Sequence, residues 1–73
     1  MSEKEKLENI KIPKHFVKPK QKKLKERLEY FAQNKIFKVP IVINKNGELI
    51  DGYTSYLVAK RFYQETVEVV ILR

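Results

Sequence analysis

The chain contains no cysteine and no tryptophan, and it has a single histidine, His15. Without thiols there is no disulfide, no thiolate nucleophile and no cysteine-ligated zinc, and one imidazole cannot build a metal cluster. Glycine is scarce too: the two glycines, Gly47 and Gly52, stand out as places where the backbone does something other residues resist. Long apolar runs are missing. Nothing approaches the roughly 18 consecutive apolar residues of a membrane span, and the opening MSEKEKLENI lacks the apolar centre of a signal peptide. The expectation is a cytoplasmic protein with no membrane contact.

What remains is a short, charged, cationic chain. Its 73 residues fall below the roughly 100 to 150 of a common domain, which leaves room for one core. Hydrophobic residues make up 42% and charged residues 34%, enough of each for a small folded unit. Sixteen Lys and Arg oppose nine Asp and Glu, a net charge of +7 that favours approach to polyanions such as nucleic acid or an acidic protein surface. A merely solvated lysine-rich surface is the competing reading.

Residues 1–9 are polar and alternate in charge around Leu7, so they are expected to form a flexible tail, or a loosely docked first turn, ahead of a single domain at 10–73. In Ile10-Lys11-Ile12-Pro13 the two isoleucines point to one side of an extended chain, which predicts a short strand ended by Pro13. From Pro19 to Asn34, Leu24, Leu28, Phe31 and Ala32 recur at helical spacing, and Lys20, Lys22, Lys23, Lys25 and Arg27 lie away from that stripe. Lysines near a helix start oppose the macrodipole, so their presence suggests a phosphate-contacting role; the alternative is a solvated face.

Val39-Pro40-Ile41-Val42-Ile43 predicts a strand, and Asn46-Gly47 a hairpin returning through Glu48-Leu49-Ile50. Asp51-Gly52 breaks that strand. Tyr53 to Tyr63 then predicts a helix with Tyr56, Ala59 and Tyr63 on one line, capped by Asp51 or Thr54. Thr66 to Leu72 is rich in β-branched residues and is expected to pair with the Val39–Ile43 strand. The mixed order fits an α+β domain with two main helices on a small mixed sheet. Phe31, Tyr56 and Phe62 are expected in its core, with Tyr30, Tyr53 and Tyr63 left for exposed contacts.

The run VPIVINKNGELIDGYTSYLVAKRF followed by VEVVIL resembles the ParB/sulfiredoxin fold. It has the Pro-initiated strand, the Asn-Gly hairpin, the Asp-Gly break opening a helix with Ala-Lys near its end, and the Val-rich closing strand. In those families the junction glycine lets the backbone approach a nucleotide or phosphate at a helix start, a role the resemblance assigns here to Asp51, Gly52, Tyr53, Thr54 and Ser55. The departures are chemical. Where partition ParB proteins carry Gly-Glu-Arg-Arg and small relatives Asp-Gly-His-His-Arg, this chain has Asp51-Gly52-Tyr53-Thr54-Ser55-Tyr56. The phosphate-gripping arginine aligns with Ser55 and the metal-holding carboxylate with Tyr53, while the cysteine that sulfiredoxin chemistry needs is absent.

The expectation is therefore a binding module without catalytic residues, metal or cofactor, of the kind found on plasmids, phages and mobile elements. Lys18, Lys20, Lys22, Lys23, Lys25 and Arg27 would contact phosphates, with Lys60 and Arg61 extending the patch. Nucleic acid or an acidic protein would be the partner, with a nucleotide also open. Two alternatives stand beside it: a nucleotide-dependent nuclease or NTPase using the Gly52 junction, and a protein-protein inhibitor or homodimer built on an exposed edge at Thr66 to Leu72.

Overall fold

Alternating burial along the β-branched runs sets the architecture. In the computed structural model, which describes residues 3–73, the chain runs β1 (Glu3–Lys6), a 3-10 turn (Leu7–Asn9), α1 (Gln21–Asn34), β2 (Ile41–Asn44), β3 (Leu49–Asp51), α2 (Tyr53–Arg61) and β4 (Thr66–Leu72). The strands form one mixed sheet in the order β1-β4-β2-β3. β2 and β4 run parallel with Ile41 opposite Val69 and Ile43 opposite Ile71, while β3 pairs antiparallel with β2 across a register irregularity between Val42 and Ile43. The fold is α+β, with two helices and a four-stranded sheet, as the sequence predicts.

Ile41, Ile43, Val67 and Val69 point to one side of the sheet and are buried there with Leu49, Ala59, Leu7 and Ile10. Their neighbours Val42, Glu68, Val70 and Leu72 face the other way and stay at least partly accessible, the period-2 signature of a sheet covered on one face. No helix among the described residues is long and apolar enough to cross a membrane.

Several expectations are revised. Where a flexible tail was expected at 1–9, Glu3–Lys6 forms an antiparallel ladder with β4, pairing Glu3 with Val69 and Lys6 with Thr66. Leu7 follows into the core, and its N–H donates to the Glu65 carbonyl at 3.0 Å. Backbone pairing with a free sheet edge needs no β-forming side chains, which is why the EKEK run concealed it. Met1 and Ser2 of that span lie outside the described residues. β4 is consequently an interior strand, and the exposed edge expected at Thr66 to Leu72 is covered by β1.

The strand expected at Ile10–Pro13 shrinks to one parallel bridge between Lys11 and Glu48, in which the Lys11 N–H donates to the Gly47 carbonyl at 2.8 Å. α1 starts two residues after Pro19, because Lys20 is extended, and it ends where Lys35 turns left-handed with φ 62°. β2 begins after Pro40, which has no N–H for a ladder. The predicted hairpin forms as a three-residue loop: the Gly47 N–H donates to the Asn44 carbonyl at 3.0 Å, and Gly47 takes the positive φ of 82° that this loop type places on glycine.

α2 stops at Arg61, short of the expected Tyr63. The Gln64 N–H reaches back to the Ala59 carbonyl and the Tyr63 N–H to the Lys60 carbonyl, a Schellman closure. Its left-handed position is held by Tyr63, at φ 56° and 94% exposed, where glycine is the usual occupant.

Candidate nucleic-acid interface and the helix-start junction

Two places carry the sequence-derived candidates: the corner between β3 and α2, and the cationic lead into α1. At the corner, Gly52 has φ 85°, and a Cβ placed on it would lie 2.3 Å from the Pro40 carbonyl oxygen and 2.8 Å from the Ile41 Cα. Glycine is required here because the corner rests directly on the backbone entering β2. Ser55, 3% exposed, donates its hydroxyl hydrogen to the Val39 carbonyl, so the first turn of α2 is stitched to the same stretch.

Thr54 is buried beside Ser55, whereas Asp51 is exposed and its carboxylate accepts the Gly52 N–H at 2.8 Å. α2 has no side-chain cap, so neither Asp51 nor Thr54 caps it in the expected way. Tyr53 is half-buried, packed against the core and against Phe16, whose ring centroid is 5.4 Å away. The five junction residues are thus contiguous, but their polar groups mostly serve the fold, and a carboxylate already stands beside the positive end of the helix.

The cationic candidates are placed differently. Lys18, Lys20, Lys22, Lys23, Lys25, Lys60 and Arg61 are exposed and Arg27 is half-buried. Among the described residues the ion pair is Arg73 with Glu3, at 2.9 Å, so none of these eight has a carboxylate partner. At about 100° of rotation per residue, Lys22, Lys23, Lys25 and Arg27 spread around α1, and Glu26 and Glu29 fall among them. The uninterrupted charge lies instead at the start of α1, where Lys18, Lys20, Lys22 and Lys23 precede or enter a first turn that holds no acidic residue. Lys60 and Arg61 sit on the last turn of α2, and the Lys60 ammonium lies 5.7 Å from the Tyr56 ring centroid.

Of the aromatic expectations, Tyr63 alone is fully exposed. Tyr30 is half-buried, Tyr53 packs against the core, and Phe62 is 39% exposed while touching Phe31 at a centroid distance of 5.0 Å. Sequence reasoning did not single out Phe16, which joins Tyr53 although it is far away along the chain; no local spacing signals such a pair.

Two shallow depressions border these elements. One, of about 430 Å³, lies among Phe31, Ile36, Phe37, Pro40 and Val70; the other, of about 370 Å³, is lined by Leu7, Glu8, Tyr56, Lys60, Gln64 and Glu65. Among the described residues no three His, Cys, Asp or Glu side chains come together as a metal would need.

No known protein-family profile matches the chain, and no curated protein is similar to it in sequence. A solved structure is similar in fold: a Pnob8-like ParB-N domain superposes with a TM-score of 0.81 at 19% sequence identity, covering 97% of this chain. The chain spans 29% of the length of that protein chain. The four-stranded mixed sheet, its two helices and this superposition together give the protein the fold of a ParB-N domain.

Proposed function

We propose that this protein is a nucleic-acid-binding module on a ParB-N fold, contacting phosphates through Lys18, Lys20, Lys22 and Lys23 at the start of α1, with Lys25, Arg27, Lys60 and Arg61 contributing. The observation that carries this reading is that these cations have no carboxylate partner among the described residues, in a chain of net charge +7. Unpaired cations keep their field available to a polyanion, where a solvated face is the competing reading. The reading extends to a module of a plasmid, phage or other mobile element acting in the cytoplasm, and its non-catalytic part rests on Tyr53 and Ser55 standing where the resemblance places a metal-holding carboxylate and a phosphate-gripping arginine.

Anisotropy titration of labelled DNA against salt tests the assignment. Each phosphate neutralised contributes a slope of roughly 0.9 in log K against log salt for duplex DNA, so replacing Lys22, Lys23 and Arg27 with Gln should flatten the slope by about 2 to 3. An unchanged slope and affinity sink the assignment. An acidic protein partner would instead be indicated if DNA of every form failed to bind.

The uncapped start of α2 supports a second reading, a nucleotide held at Asp51, Gly52, Tyr53, Thr54 and Ser55. Against it stand the Asp51 carboxylate at that helix end and the use of Ser55 in bonding Val39. A thermal shift with ATP, CTP or GTP at 100 times the Kd would correspond to about 2.7 kcal/mol, and no shift removes this reading.

A further inference from the structure

Four aromatic side chains from two distant parts of the chain form one row. His15 stacks on Phe16 with centroids 4.5 Å apart and planes at 29°. Phe16 meets Tyr53 at 5.4 Å, and Tyr53 meets Tyr56 at 6.3 Å with planes at 18°. The Lys60 ammonium lies over Tyr56 and closes the row. His15 is exposed, whereas Phe16, Tyr53 and Tyr56 are half-buried against the core cluster and against one another.

Covering a core does not call for this composition. Leu or Ile would seal it with less polarisable surface, and no tyrosine hydroxyl among the described residues is buried without a partner, so the polar tips of Tyr53 and Tyr56 are left to solvent or a ligand. Exposed cations surround the row: Lys14 precedes His15, Lys18 follows two residues after Phe16, and Lys60 stands at the far end. The depression of about 370 Å³ adjoins that end, with Tyr56 as one wall and Glu8, Gln64 and Glu65 offering acceptors and donors.

We propose that the His15–Phe16–Tyr53–Tyr56 row is a stacking surface for unpaired nucleobases, so that the ligand of this module is single-stranded nucleic acid. The proposal rests on the nucleic-acid reading given above and narrows it. Aromatic rings flanked by unpaired cations suit a strand whose base faces are free, because stacking tolerates any base and the phosphates find the lysines. A duplex hides those faces and would use the cations alone. The Lys60 ammonium over Tyr56 marks a place a base can take while the ammonium swings to a phosphate.

The experiment compares the intact chain with His15→Ala and Tyr53→Leu. The first alters an exposed residue and the second keeps apolar bulk against the core, and circular dichroism confirms that each is folded. Binding of a labelled oligothymidylate of about 12 nucleotides and of a duplex of matching length is read by anisotropy, with quenching of tyrosine fluorescence as a second signal. The proposal expects the single strand to bind at least tenfold more tightly than the duplex and to quench tyrosine. Tyr53→Leu should lose about tenfold for the single strand and His15→Ala about threefold, with duplex affinity unchanged. Equal affinity for both forms, unaffected by either variant, overturns the stacking surface and leaves the cationic module standing. Binding of neither form overturns both.

Discussion

The two helices of this protein solve opposite problems. α2 buries Thr54, Ser55, Val58 and Ala59, whereas α1, half as long again, buries none of its residues. α2 can lie close to the sheet because its contact side is made of small residues, and Gly52 lets its first turn rest on the backbone of Pro40 and Ile41. α1 carries the more regular apolar stripe, yet Leu24, Leu28 and Phe31 are only half-covered and Ala32 is exposed. Its Phe31 stacks on Phe37 at 4.8 Å and tilts against Phe62 at 5.0 Å. Regular amphipathicity thus reports that a helix has a side to bury, not how deeply it is buried; depth is set by side-chain size at the contact.

The strongest way to break this contrast is at the corner of α2. Gly52→Ala adds a clashing Cβ in a left-handed position, and we expect a loss of about 4 kcal/mol, enough to unfold much of so small a domain, measured by urea denaturation. Next, Val58→Ala should cost about 2 kcal/mol against about 1 kcal/mol for Leu28→Ala; equal losses would show α1 to be as deeply packed as α2. Phe31→Ala should cost about 1.5 kcal/mol and act locally, so that hydrogen exchange accelerates in α1 well before the β2–β4 ladder. The smallest effect has the opposite sign: Tyr63→Gly relieves a left-handed non-glycine residue and should add about 1 kcal/mol to stability, seen as a raised Tm.

The same contrast explains what was legible beforehand. β4 was readable to its ends, because seven consecutive residues dominated by β-branched types state their own conformation, and the Asn46-Gly47 turn and the helix opening at Tyr53 were equally local. β1 was not, since Glu3–Lys6 carries no strand propensity and becomes a strand only because β4 presents an unpaired edge to it. At the candidate site, the positions of the lysines were plain in the sequence. Their lack of partners and the meeting of Phe16 with Tyr53 were not, because both depend on contacts made by elements far apart in the chain.

β1 also has a consequence for how two such molecules meet. Its period-2 sequence places Glu3 and Glu5 on the core side of the sheet, opposite Val69 and Val67, and Lys4 and Lys6 on the other side, opposite Glu68 and Thr66. Two copies joined antiparallel along this edge are related by a two-fold axis perpendicular to the sheet, which keeps each side facing the same way. Whatever the register, facing residues then share a side, so glutamate meets glutamate and lysine meets lysine. Like charges facing across such a joint disfavour it, less so at Glu3, which Arg73 already pairs, whereas a strand of opposite alternation would be complementary.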